Sequence, residues 1–385
     1  MKKKLMGLNR NVIVLGFTSF LNDVSSEMIK PILPIFLTVV LGAPIFAVGL
    51  IEGIAYSTAS LFKVASGWYS DKIGRRKIFV VSGYGIATLG KTILIFATNW
   101  WYVLVERFTD KMGKGIRDAP RDAIIAETKK SLRGRAFGLR ESMDRAGAIL
   151  GPLIAIFLLS MSFSYQQIFM VAIIPGILAT LTVLFFVKEH ANHALSNLKF
   201  RFSIVSRECR TFLLISGLFY LGFFSFAFLI LKTTELGFSA ELSTILYLVY
   251  AVASTILSTL IGMLSDKIGR KPVIVFGYIA FGLMCLGFTY FVDVIQIAAM
   301  FILFGVAVAV VETVPRAYVS EMTDQKHEGT LLGMFHTVNG IVALPASLFA
   351  GLIWQFFGSS MAFYYGAGLS FLAALLLIVA MNSKA

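Results

Sequence analysis

Apolar residues fall in runs of about twenty, the length that crosses a bilayer as a helix. Twelve such stretches are read: 11–40, 46–69, 78–98, 101–124, 136–160, 166–187, 209–231, 240–264, 273–291, 295–319, 331–355 and 360–382. The links between them are short, except 188–208. The first run follows MKKKLMGLNR and is too long for the apolar core of a signal peptide, so it is expected to be retained as a span. Lys and Arg collect in alternate links: the N-terminus, 71–77, 129–135, 188–210, 266–271, and Lys326 after the tenth span. By the positive-inside rule both termini are expected in the cytoplasm. The pattern predicts an all-α membrane protein of twelve transmembrane helices in two six-helix bundles. The first bundle is 1–187, the cytoplasmic linker 188–208 and the second bundle 209–385.

The fourth stretch breaks the pattern. Trp101–Arg121 is long enough to span, yet it carries Glu106, Arg107, Asp110, Lys111, Lys114 and Arg117. A charge at the bilayer centre costs ~2.5–3.5 kcal/mol on insertion scales. Glu106, Asp110, Lys114, Arg117 and Arg121 recur at helical spacing and so share one face. Arg107, Lys111, Asp118 and Asp122 lie beside them. Acids and bases on one face neutralise each other when dry and exchange protons when water enters. This stripe is therefore the first candidate for proton coupling and substrate orientation. The first span adds Asp23, Glu27 and Lys30 on a common face, with Pro31 and Pro34 loosening the helix nearby. Glu52, Lys63, Lys91, Arg140, Glu141, Asp144 and Arg145 read as packing partners of the same network, and Gly138, Gly147 and Gly151 as points of close helix approach. The second half has few charges inside its spans: Glu312 in the tenth span, slightly inside the midplane, and Arg316 beyond it. Its seventh span is aromatic instead, with Tyr220 and Phe223 as candidates for an apolar wall. His336 and Asn339 read as satisfied polar residues.

Composition agrees with this class. The 385 residues are 57% hydrophobic and only 14% charged, with mean hydropathy +0.82, whereas soluble proteins carry about 25% charged residues. The net charge of +13 sits where it sets topology, so no nucleic-acid partner is expected. Two cysteines and four histidines form no ligand pattern, so neither a metal nor a cofactor is expected. No phosphate loop and no catalytic triad or zinc motif appears, so the chain reads as neither an ATPase nor an enzyme.

The two halves repeat. Gly67-Trp-Tyr-Ser-Asp71-Lys-Ile-Gly74-Arg75-Arg76 returns as Gly262-Met-Leu-Ser-Asp266-Lys-Ile-Gly269-Arg270-Lys271, 195 positions on. The same shift carries Pro120-Arg121 onto Pro315-Arg316 and Gly138 onto Gly333. Six spans per half give repeats of the same orientation, related by an axis along the membrane normal.

These loops resemble the signature of the major facilitator superfamily. Arg107-Phe-Thr-Asp110-Lys111-Met-Gly113-Lys-Gly115 in the fourth span is similar to that family's RxxxGxG, with Lys111 where glycine is usual. Gly138, Gly147 and Gly151-Pro152 in the fifth are similar to the antiporter motif, with Ala155-Ile156 in place of its trailing glycines. The resemblance implies a secondary transporter whose first, fourth, seventh and tenth spans line a central cavity. It also implies that the repeated loops latch the inner side. The substrate and proton residues would be Asp23, Glu27, Glu106, Arg107, Asp110, Lys111, Lys114 and Glu312. The cytoplasmic gate would be Asp71, Arg75, Arg117, Arg121, Asp266, Arg270 and Arg316, with Arg121 and Arg316 facing Asp71 and Asp266. The expectation is a monomeric, multi-pass transporter in a prokaryotic plasma membrane. It would move a small anionic or zwitterionic solute by alternating access, with protons as the coupling ion. A multidrug exporter of the same fold and a non-transporting membrane sensor are the alternatives.

Overall fold

The computed structural model describes residues 8–189, 206–322 and 328–382. Lys326, the N-terminal lysines and most of the 188–208 linker lie outside these residues. Every regular element among the described residues is helical. The first span is α1 (Arg10–Ile29), continued by α2 (Leu33–Ile35) and a π-helical turn (Phe36–Val40). Then come α3 (Ile45–Ile73), α4 (Lys77–Thr92), α5 (Trp100–Ala126), α6 (Arg133–Ser160) and α7 (Tyr165–Phe186). The second half runs α8 (Arg207–Gly222), α9 (Phe226–Glu235), α10 (Ala240–Ile268), α11 (Arg270–Tyr290), α12 (Val294–Glu321), α13 (Glu328–Phe357) and α14 (Ser359–Asn382).

Eleven of the twelve span-length stretches are apolar enough to cross a membrane by composition alone. The twelfth is α5, which is long enough but carries the charged stripe. Two spans are broken, each for a local reason. Pro31 and Pro34 lack amide donors, and α1 ends just before them. Span seven opens at Phe223–Ser225, where Ser225 Oγ accepts from the amide of Ala227 to start α9. The freed Ser225 hydroxyl donates to Glu52 Oε2 at 2.8 Å.

The chain divides into two compact units: Met1–Gly42 with Ile54–Leu198, and Ala43–Gly53 with Lys199–Ala385. In the first, α1 packs on α6 and α7, and α4 on α5 and α7. In the second, α8 packs on α13 and α14, and α11 on α12 and α14. With the 195-residue shift these are the same pairings. The start of α3 joins the second unit because Gly49 and Gly53 carry no side chain there: a Cβ on Gly53 would lie 2.8 Å from Leu344 Cα. Of the span-five glycines, Gly147 and Gly151 do permit close approach. A Cβ on Gly147 would lie 2.7 Å from the Phe20 carbonyl oxygen, and one on Gly151 the same distance from Glu27 Cβ. Gly138 differs from expectation, since nothing stands within 4 Å of its Cβ position.

Candidate functional site

The charged stripe of α5 is buried within the first unit. Glu106 (2% exposed), Arg107, Asp110 (4%), Arg117 (4%), Asp118 and Arg121 are all buried. Helix α5 approaches α4 closely because Gly113 and Gly83 face each other; a Cβ on Gly113 would sit 2.5 Å from the Gly83 carbonyl oxygen. Gly115 lets it approach α3 in the same way, at 2.6 Å from Phe62 Cβ.

Inside this packing the charges pair first along their own spans and then across to α1 and α6. Asp110 Oδ2 meets Lys111 Nζ at 3.3 Å. Glu27 pairs with Lys30, which caps the end of α1. Asp118 Oδ1 lies 3.4 Å from Arg121 Nη2. Arg121 also donates to Asp122 Oδ1 at 3.2 Å and to Ser19 Oγ at 3.3 Å, and Ser19 Oγ stands 3.3 Å from Tyr84 Oη. Arg140 of α6 extends the chain to Asp122 (3.1 Å), Glu141 (2.8 Å) and Asp144 (2.9 Å). One polar ladder thus joins α4, α1, α5 and α6. Asp23 accepts from Asn22 Nδ2 at 3.2 Å. Arg117 lies over the Tyr84 ring, 4.4 Å from its centroid, with Nε and Nη1 lacking a hydrogen-bond partner. Glu106 Oε2 also lacks one.

Lys91 is the member the sequence undervalued. It is 1% exposed, and its Nζ donates to Ser25 Oγ at 2.7 Å and Ser26 Oγ at 2.9 Å. Two adjacent serines on the first span were the available signal. Lys114, expected in the core of the site, is instead exposed, as is Lys63. The balance of the network is positive. Among its first-unit members, Lys30, Lys63, Lys91, Arg107, Lys111, Lys114, Arg117, Arg121, Arg140 and Arg145 stand against Asp23, Glu27, Glu106, Asp110, Asp118, Asp122, Glu141 and Asp144, an excess of two positive charges; Glu52 lies in the second unit.

The repeated loops form a second constellation. Gly74 (φ +70°) and Gly269 (φ +92°) both turn the chain in the left-handed half of the map, which a side chain resists. Each turn brings an arginine back onto its aspartate. Asp71 pairs with Arg76 at 3.1 Å, and Arg76 with Glu127 at the end of α5 at 3.0 Å. Asp266 pairs with Arg270 at 2.6 Å, and Arg270 with Glu321 at the end of α12 at 2.9 Å. This corrects three expectations. Arg121 is held by Asp118 and Asp122 rather than Asp71. Arg316 is exposed and Asp266 has Arg270 instead. Arg75 is exposed, its place taken by Arg76. Glu127 and Glu321 were missed because they lie some fifty residues from the motif that they complete. Glu312 lies on an exposed face of α12.

Matches along the chain agree with this architecture. The family model of the Major Facilitator Superfamily matches residues 15–231 and again 212–384. The chain belongs to the major facilitator superfamily. An uncharacterized MFS-type transporter of Methanocaldococcus jannaschii is 40% identical over 380 residues, covering 96% of this chain and 95% of that protein. Among solved structures, a POT family transporter in complex with 5-aminolevulinic acid superposes with TM-score 0.83 at 12% identity, over 99% of this chain and 98% of that one. The nucleoside transporter NupG superposes with TM-score 0.80 at 14% identity, over 97% and 100%. As a superfamily member the chain is a multi-pass membrane transporter. Among its described residues no group of three or more His, Cys, Asp or Glu side chains could hold a metal.

Proposed function

We propose that this chain is a proton-coupled secondary transporter of a small anionic or zwitterionic solute. It would work by alternating access as a monomer in a prokaryotic plasma membrane, with both termini in the cytoplasm. The observation that carries the reading is the buried, cross-linked charge network on α5. A network this expensive to bury serves more than packing, because well-packed apolar residues hold a bundle as firmly. Asp23, Glu27, Glu106, Arg107, Asp110, Lys111 and Lys114 supply charged-group recognition and proton exchange. Glu312 contributes from the second half. The Asp71–Arg76–Glu127 and Asp266–Arg270–Glu321 triads, at the ends of α3 and α10, act as cytoplasmic latches.

Reconstitution into liposomes tests it. Accumulation of a small anionic or zwitterionic solute, driven by an imposed pH gradient and abolished by a protonophore, is the expected result. Flux indifferent to the gradient would leave a facilitator, and no flux of any solute would leave the sensor reading.

A further inference from the structure

Two lysines of the first unit lie deep in their spans with no ion pair among the described residues. Lys114 stands one residue past the midpoint of α5, about 21 Å from its start in a helix about 40 Å long. Lys63 lies about 27 Å along α3, roughly 6 Å past that helix's midpoint. Both are exposed, and neither has a carboxylate within 4.0 Å among the described residues. The two helices meet beside them: the Cβ position of Gly115, next to Lys114, is 3.0 Å from the Lys63 amide nitrogen. Asp118, one turn after Lys114, feels the charge of both lysines, but its ion pairs are with Arg121 at 3.4 Å and Arg117 at 3.9 Å. One turn before Lys114, Lys111 shares Asp110 at 3.3 Å while standing among Arg107, Lys114 and Lys30.

An ammonium group this deep, with no carboxylate within 4.0 Å, is not stable facing acyl chains. Lysines near a helix end escape by snorkelling to the interface, but Lys114 is at mid-helix. The missing charge is best supplied by something that comes and goes. We propose that Lys63, Lys111 and Lys114 form the recognition site for an organic anion bearing at least two carboxylate or phosphate groups. Three flexible ammonium groups on two helices suit separate anionic groups better than one planar carboxylate, which an arginine fork would grip. This inference names the substrate class of the transporter proposed above and rests on that reading.

The test uses the full chain purified in detergent and follows thermal unfolding with citrate, succinate, acetate, inorganic phosphate, sucrose or tetraphenylphosphonium, at ionic strength matched with potassium chloride. Stabilisation is expected to rank citrate over succinate over acetate. The half-saturating citrate concentration is expected to rise at least tenfold in Lys63→Gln and in Lys114→Gln, and to return towards wild type in Lys114→Arg. Lys72→Gln, at the inner end of α3, serves as a charge control and is expected to leave it unchanged. Stabilisation by inorganic phosphate alone, with none by citrate, would overturn the proposal, since phosphate bears a single anionic group. Equal citrate binding in the Lys63→Gln/Lys114→Gln double variant overturns the proposal, as does a response confined to sucrose or tetraphenylphosphonium. In those cases the transporter reading survives with a different substrate. Anion binding without uptake in liposomes would instead sink the transporter reading and leave the site.

Discussion

Lys91 Nζ donates to both Ser25 Oγ and Ser26 Oγ, at 2.7 and 2.9 Å, so one ammonium group ties α4 to α1. Ser25 passes the tie on to α7 by donating to the Ala172 carbonyl at 2.5 Å. Hydrogen bonds to a charged group contribute about 1.5–3 kcal/mol each. Lys91→Met is therefore expected to lower the apparent melting temperature of the purified protein clearly, and Ser26→Ala to lower it less. An unchanged melting temperature in Lys91→Met would remove this residue from the scaffold.

Glu106 and Asp110 differ in what neutralisation removes. Glu106 Oε2 has no hydrogen-bond partner, so Glu106→Gln costs little packing; Asp110→Asn strips Lys111 of its ion pair and costs about 3 kcal/mol. In liposomes, Glu106→Gln is expected to keep solute binding and lose gradient-driven accumulation. Asp110→Asn is expected to lose both binding and stability. Glu312→Gln, on an exposed face of α12, is expected to hurt less than Asp110→Asn. A larger loss at Glu312 would move the main coupling site from α5 to the second half.

The two triads are expected to govern rate rather than stability. Pairs with exposed members contribute about 0–1 kcal/mol, so Asp71→Asn and Glu127→Gln should unfold within a degree or two of wild type. Initial uptake rates should nevertheless fall severalfold in both, and in Asp266→Asn. Wild-type rates in all three would reduce the loops to topology signals.

Gly147 and Gly138 make a paired test of packing. Gly147→Ala forces its Cβ to within 2.7 Å of the Phe20 carbonyl and 2.9 Å of Asp23 Cβ, an overpacking cost of about 1–3 kcal/mol. Gly138→Ala meets nothing and gains up to about 1 kcal/mol of helix propensity. Thermal unfolding should move in opposite directions for the two. The same direction for both would mean that the α1–α6 contact is looser than described.

The spans and the repeat were legible because hydropathy and a fixed offset are properties of the chain itself. The charged face of α5 was legible for the same reason, as helical spacing alone places Glu106, Asp110, Arg117 and Arg121 together. Partners across helices were not. Nothing in the spacing tells Arg76 from Arg75, or says that Arg121 will turn to Ser19 and Asp122 instead of Asp71. Nor does local sequence show depth: Lys91, a lone cation in an apolar run, is sealed between helices, while Lys114, on the charged face of α5, is exposed. Packing decided that, through glycines 83, 113 and 115, which fix how α5 is rotated.

At the far end of the first unit, the side-chain amide of Asn11 donates to the Lys188 carbonyl at 2.8 Å, and the Lys188 amide donates back to Asn11 Oδ1 at 3.0 Å. Glu189 then accepts from the amides of Arg76 and Lys77, at 2.9 and 3.0 Å, at the start of α4. The first half of the chain is therefore buckled shut three residues beyond its last helix. Anyone producing that half on its own should cut after Glu189: a boundary at Phe186, where the helix stops, would discard the buckle and leave both α1 and α4 with open ends.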